Sequence, residues 1–206
     1  MSAVWNRTRA GPALDSTGLN PAASLQSTLA RGPAAGVRPG AVVELQAAIE
    51  PPDELHEACA ALALALFDRD TSVWLSPTAD ARRPRAYLRF HTGCRQVAET
   101  TLADFALVAR ADELPSLASL CAGTQESPQR STTLILQLDA LDEDGPWRLS
   151  GPGIRGERRL AAQGLGEPFL SEWARNVRLF PRGVDAFLVS GRRMCGLPRT
   201  TRLRAD

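Results

Sequence analysis

The sequence predicts an α/β fold, a single-domain three-layer sandwich around a mixed sheet, on three observations. Segments with helical spacing alternate with short apolar or β-branched runs. Several neighbouring runs are joined by tight turns, so the sheet is expected to be mixed. One run, Ser131 to Leu138 (Ser-Thr-Thr-Leu-Ile-Leu-Gln-Leu), is apolar almost throughout, as a central strand buried on both faces should be.

Taken in order, residues 1–13 read as a loose tail and residues 14–206 as the domain. Leu14 to Arg31 holds a helix candidate with Leu25, Thr28 and Leu29 on one face, broken by Gly32-Pro33. Gly36 to Gly40 is turn-rich, and Ala41 to Leu45 reads as a short strand. Pro51-Pro52-Asp53 supplies turn and capping chemistry for a helix from Glu54 to Phe67, with acids near its positive dipole end. A strand follows at Ser72 to Leu75, then a charged loop from Thr78 to Pro84. A second strand from Tyr87 is expected to carry His91 out to Gly93. The unit from Leu62 to Cys94 is the densest piece of the chain.

Further along, Ala103 to Val108 reads as a strand and Asp112 to Leu120 as a helix with Leu114, Leu117 and Leu120 at helical spacing. Gly123 to Arg130 is a loop before the Ser131 strand. Asp142-Glu-Asp-Gly-Pro reads as an acidic turn, with a new strand from Trp147 to Ser150 and a hairpin partner at Arg158 to Ala162. Phe169 to Leu179 is an amphipathic helix with Leu170, Trp173 and Val177 on one side. Ala186 to Val189 and Met194 to Leu197 pair about Gly191, and Pro198 to Arg202 closes the ordered part.

Composition narrows the function. All 24 basic residues are arginine, so a Schiff-base enzyme, a P-loop protein and a protein kinase each lack the lysine their chemistry needs. The four cysteines are scattered and there are two histidines, which gives no metal-ligand spacing and no disulfide framework. The longest apolar run, Ala58 to Phe67, is far short of the roughly 20 residues that span a membrane. No apolar leader follows the N-terminus, so the expectation is a cytoplasmic protein. Residues 44–144 hold eight arginines and seventeen acids, whereas residues 145–206 hold twelve arginines and five acids. An acidic middle and a basic end suit complementary subunit contacts or an anion site. Few aromatics accompany that modest excess, so nucleic acid is not the expected partner.

Three constellations invite chemistry. Gly151-Pro152-Gly153 fails the dinucleotide fingerprint and reads as a hairpin turn. His91 and Cys94, with Arg89 and Arg95 beside them, suggest a Cys–His nucleophile pair; the plainer reading is a hydrogen-bonded histidine and a buried thiol. Arg182, Arg199 and Thr200, with Arg178, Arg202 and Thr201, suit a phosphate-like anion, while Asp185 and Glu172 offer ordinary structural pairing instead. No Ser-His-Asp set and no close carboxylate pair is visible.

Four stretches carry a resemblance: Leu64 to Pro77; Leu88 to Cys94 with Ala103-Asp-Phe-Ala; Ser131 to Leu138 leading to Gly151-Pro-Gly-Ile; and Phe180 to Asp185 with Leu197-Pro-Arg-Thr-Thr-Arg202. In this order they resemble the PhnH family, the H subunit of the bacterial carbon–phosphorus lyase system for phosphonate degradation. The N-terminal segment departs from the pattern, with Leu29 where an aromatic belongs and Gly32-Pro33 ahead of Arg38-Pro39-Gly40. The resemblance implies a fold similar to the large domain of pyridoxal-phosphate-dependent transferases, without the cofactor and its lysine. It also implies a non-catalytic role beside the G, I and J subunits, in forming ribose 1-phosphonate 5-triphosphate from a nucleoside triphosphate and an alkylphosphonate. A homodimer is expected for the isolated subunit. Arg89, His91, Arg182, Asp185, Arg199 and Thr200 are the candidate anion or partner contacts, with no catalytic, cofactor or metal residue assigned. The alternative is a phosphonate- or nucleotide-binding or catalytic subunit using His91, Arg89 and the C-terminal arginines.

Overall fold

The structure is a computed structural model and describes residues 38–45 and 49–206. The expected tail and the helix candidate at Leu14 to Arg31 lie outside the described residues. The elements, in chain order, are β1 (Val42–Glu44), α1 (Glu57–Leu66), β2 (Ser72–Leu75), α2 (Arg82–Thr92), β3 (Arg95–Gln96), β4 (Phe105–Val108) and β5 (Thr133–Gln137). After them come β6 (Ala140–Ser150), β7 (Arg158–Gln163), α3 (Glu167–Arg178), β8 (Asp185–Ser190), β9 (Arg193–Leu197) and β10 (Arg202–Ala205).

Seven strands form a mixed sheet in the order β1-β9-β8-β5-β4-β2-β3. Strands β3, β2, β4, β5 and β8 run parallel, and the β8–β9 hairpin and β1 close it in antiparallel fashion. β5 sits at the centre with all five residues buried, as its apolar run predicts. Successive residues of each strand face opposite sides, which separates two cores. Val73, Leu107, Ile135 and Phe187 face α1 and Leu88 of α2. Ala106, Leu134, Leu136 and Leu188 face a layer made of α3 and a second sheet.

α1 lies over the first core and has seven of its ten residues buried, five of them alanine, which lets its backbone come close to the sheet. α3 presents Phe169, Leu170 and Trp173 to the second core, and the Trp173 indole N–H donates to the Thr201 carbonyl at 2.8 Å.

Four expectations are corrected. The stretch from Tyr87 to Gly93 is not a strand but the end of α2. Its alternation of apolar and polar residues fits a strand, yet only Pro84 and Leu88, four apart, are buried. Pro84 falls in the first turn, where its missing N–H costs nothing, and Gly93 takes the left-handed conformation (φ 68°) that ends a helix, its N–H donating to the Arg89 carbonyl. Asp112 to Leu120 is not one helix. Pro115 holds Leu114 extended, and two single 3-10 turns, Ala111–Glu113 and Leu117–Ser119, stand in its place.

The acidic stretch at Asp142 to Pro146 does not end a strand. It runs inside the eleven-residue β6, where a bulge between Asp142 and Trp147 absorbs the irregularity. Gly145 is required there, because a Cβ would lie 2.2 Å from the Ala161 nitrogen. Arg202 does not close the ordered chain either: β10 pairs with β6, and β6 with β7, as a three-stranded antiparallel sheet that puts Leu203 in the second core. Among the described residues there are thus two sheets rather than one.

Candidate functional site

Two strands that follow β2 in the chain, β3 and β4, lie on opposite sides of it. Such a reversal opens a crevice at the carboxyl ends of parallel strands, where open α/β sheets bind ligands. A cavity of about 440 Å³ occupies this position. Glu54 and His56 line it from the loop before α1, Thr78 from the end of β2, Arg110 from the end of β4, and Gln137 and Asp139 from the end of β5.

The walls are braced by side chains that spend their polar groups on the backbone. Gln137, 3% exposed at the end of an otherwise apolar strand, accepts from the His56 N–H at 2.7 Å. Its amide donates to the carbonyls of Ala109 (2.9 Å) and Glu54 (3.1 Å). Glu113 accepts from the Ser76 hydroxyl and from the Thr78 hydroxyl and N–H. Burial pushes the Glu113 carboxyl up, but these donors outweigh it and hold the group below its ordinary value. Ser76 in turn accepts from the Ala109 N–H. Burial draws the His56 imidazole below its usual range, against the opposing charge of Asp139.

The residues singled out from the sequence fall in two separate places. Arg89 and His91 are exposed on α2, beside Phe90, which is 83% exposed. The His91 ring rests between Tyr87 (centroids 4.5 Å apart) and Phe90 (5.0 Å). α2 carries four arginines and no acid; Arg83 pairs with Asp53 and Arg85 with Asp80. Cys94 is buried, and burial raises its thiol, the opposite of what a nucleophile needs. The Cys–His pair is therefore not an activated one. Gly151 to Gly153 is a turn between β6 and β7, as expected.

Asp185, at the amino end of β8, lies three strands along the sheet from β2. Arg199, 8% exposed, reaches it with its Nε at 3.1 Å and one Nη at 2.5 Å. The remaining donors of Arg199 go to the Pro128 and Pro181 carbonyls and the Ser131 hydroxyl, so all five guanidinium N–H groups are engaged. Its backbone N–H also donates to Asp185 at 2.7 Å. Arg182 and Thr200 sit nearby in the chain, both half-buried; the Arg182 Nε is enclosed without a hydrogen-bond partner among the described residues.

His56, Glu54, Gln137 and Asp139 escaped the sequence reading. The available signal was a lone glutamine closing the central apolar strand, since a buried amide there must find partners. Among the described residues no three of His, Cys, Asp and Glu gather to hold a metal ion.

The architecture defines an α/β protein with a mixed central sheet, a braced polar cleft at its strand ends and a separate aromatic–arginine helix. Comparison with known proteins gives the family. The model of the bacterial phosphonate metabolism protein PhnH matches residues 20–204, and the chain belongs to that family. It is 39% identical over 169 residues to the PhnH subunit of alpha-D-ribose 1-methylphosphonate 5-triphosphate synthase from Rhizobium meliloti (strain 1021). That alignment covers 82% of this chain and 84% of the relative. A shorter match, 37% identical over 84 residues, joins it to HtxG of Stutzerimonas stutzeri, whose name assigns it provisionally to C-P lyase as a subunit. It covers 39% of this chain and 42% of that relative.

Proposed function

We propose that this chain is the H subunit of a carbon–phosphorus lyase core complex. In that role it supports, without catalytic residues of its own, the formation of ribose 1-phosphonate 5-triphosphate from a nucleoside triphosphate and an alkylphosphonate. The observation that carries the reading is the 39% identity, over 82% of the chain, to a named synthase subunit. Its partners in this reading are the G, I and J subunits, and it works in the cytoplasm; alone, it forms a homodimer.

The most favourable contact surface is the outer face of α2. An exposed Phe90 flanked by Arg89 and His91 combines a large apolar anchor with a guanidinium, the pairing that dominates protein interfaces. A fold like the large domain of pyridoxal-phosphate-dependent transferases belongs to the same reading. The strand order with one antiparallel hairpin and the cleft at the carboxyl ends support it, and the lysine-free sequence fits a version without the cofactor.

Co-expression with the G, I and J subunits tests the assignment. A complex that co-elutes in size-exclusion chromatography is expected, and replacing Phe90 by Ala should weaken it at least tenfold. A chain that elutes alone beside an assembled complex of the other subunits would refute it.

A further inference from the structure

α2 presents one outward stripe. Arg82, Arg85, Ala86, Arg89 and Phe90 recur at the i, i+3, i+4, i+7, i+8 spacing of a single helix face, and all five are exposed. Pro84 and Leu88 hold the opposite side in the core. Ala86 is the shortest of the five, and the longer side chains around it leave a hollow of about 600 Å³. Arg82, Arg85, Arg89 and Phe90 wall it, and Asp80 lines it from the turn before the helix.

The charges of this face are unbalanced. Arg85 is engaged by Asp80, but Arg82 and Arg89 form no ion pair among the described residues, and α2 holds no acid of its own. Phe90 is 83% exposed, whereas Phe67, Phe105, Phe169 and Phe187 are buried or half-buried. The His91 ring rests against it, which limits the freedom that a contact would have to remove. The shape narrows the occupant. All but one of the lining residues come from one helix, so the hollow covers one side of a molecule, whereas small-ligand sites enclose most of theirs. One phenylalanine is also too little for an interfacial membrane helix, which buries a whole apolar face. A protein surface, by contrast, supplies the missing half itself.

From the hollow, its two unpaired guanidiniums and the exposed ring, we propose that the outer face of α2 receives an acidic segment of a neighbouring subunit. One apolar side chain of that segment seats over Ala86 beside Phe90, and carboxylates on either side of it pair with Arg82 and Arg89. This rests on the assembly reading above and adds what the partner must carry. Guanidinium forks take carboxylates side-on, and a partner that covers the hollow removes the water screening those pairs. The aromatic anchor and the arginine rim therefore act together.

The test measures the dissociation constant of the full chain from the assembled G, I and J subunits. Arg82→Gln and Arg89→Gln each remove a charge and keep a good helix former. Ala86→Glu puts a carboxylate of the chain's own into the hollow. Arg83→Gln, outside the hollow and paired with Asp53, is the control. An unchanged melting midpoint of each isolated variant reports the intact fold. The first three variants should each weaken association about tenfold, and the control less than about twofold. The wild type should bind less tightly as sodium chloride rises from about 50 to 500 mM, and Arg82→Gln/Arg89→Gln should lose most of that dependence. If the wild type does not associate at all, the assembly reading falls and this proposal with it. If it associates, and the three variants bind as it does or the salt dependence survives in the double variant, this proposal alone falls. It is equally overturned if the variants dissociate a homodimer of the isolated chain and leave the assembly untouched, which would make the occupant a second copy. The same holds if millimolar ATP raises the melting midpoint of the isolated wild type but not of the double variant, which would make the pair a phosphate site.

Discussion

Replacing Arg199 by Met removes one half of the most enclosed ion pair among the described residues. The side chains of Arg199 and Asp185 are 9% and 17% exposed, so solvent does little to screen what is lost. Asp185 would keep only the Arg199 backbone N–H at 2.7 Å, and Pro128, Pro181 and Ser131 would each lose a donor. Breaking a buried pair from one side costs about 3–5 kcal/mol, chiefly through the stranded charge. Against a total of about 5–15 kcal/mol, that is a large fraction of the stability. With a urea slope of about 2 kcal/mol per M, the unfolding midpoint falls by about 2 M at unchanged slope. Replacing Asp185 by Leu in the same protein removes the stranded charge, and the double variant should recover about 2 kcal/mol of the loss. A midpoint drop below about 0.5 M for Arg199→Met would refute the reasoning. So would a wild-type midpoint that rises with millimolar methylphosphonate but not in Arg199→Met, since that would make the guanidinium an anion site.

Three further expectations follow from the same geometry. Gln137→Leu removes three hydrogen bonds from the floor of the cleft and should cost about 3 kcal/mol, seen as a fall of about 6–12 °C in Tm by calorimetry. Because the folded-state pKa of His56 is lowered, the unfolded chain binds more protons in the window just below the ordinary histidine value. Stability should therefore fall as pH drops through that window, and His56→Asn should flatten this part of a urea-midpoint profile between about pH 7.5 and 5. Burial pushes the Cys59 and Cys195 thiols up, Cys195 to about 12, whereas Cys121 is half-buried. Native protein at pH 8 should thus yield Cys121 to Ellman's reagent at least a hundred times faster than Cys59 or Cys195.

Where one period and one burial pattern agree, the fold was legible. The central strand β5, the β8–β9 hairpin about Gly191 and the helix carrying Trp173 all stand within two residues of their expected bounds. α2 was misread because Tyr87, Leu88 and Phe90 fit a strand's alternation about as well as a helix face. Its boundary signals, Pro84 near the start and Gly93 just past the end, outweigh that pattern. β6 was cut in two because Asp-Gly-Pro is ordinary turn chemistry, and only pairing with β7 and the bulge at Gly145 keep the chain extended. The cleft was hidden by distance in the chain: Gln137 holds His56 across 81 residues. A side chain whose role is to fix a remote loop leaves no local spacing to find. Conversely, the arginine cluster at the C-terminal end was visible, and weighing it as internal pairing anticipated the use of Arg199.

The stub β3 at one rim of the large sheet has a consequence for neighbours. It pairs with β2 over only two residues, Arg95 and Gln96, and the first of them is exposed and charged. A rim so short and so charged offers little template for an incoming strand, which is how soluble proteins keep sheets from growing end to end. On this side the sheet terminates itself. Crowding cannot readily polymerise it, and a neighbour arriving here must be recognised by its side chains, because β3 leaves almost no backbone to share.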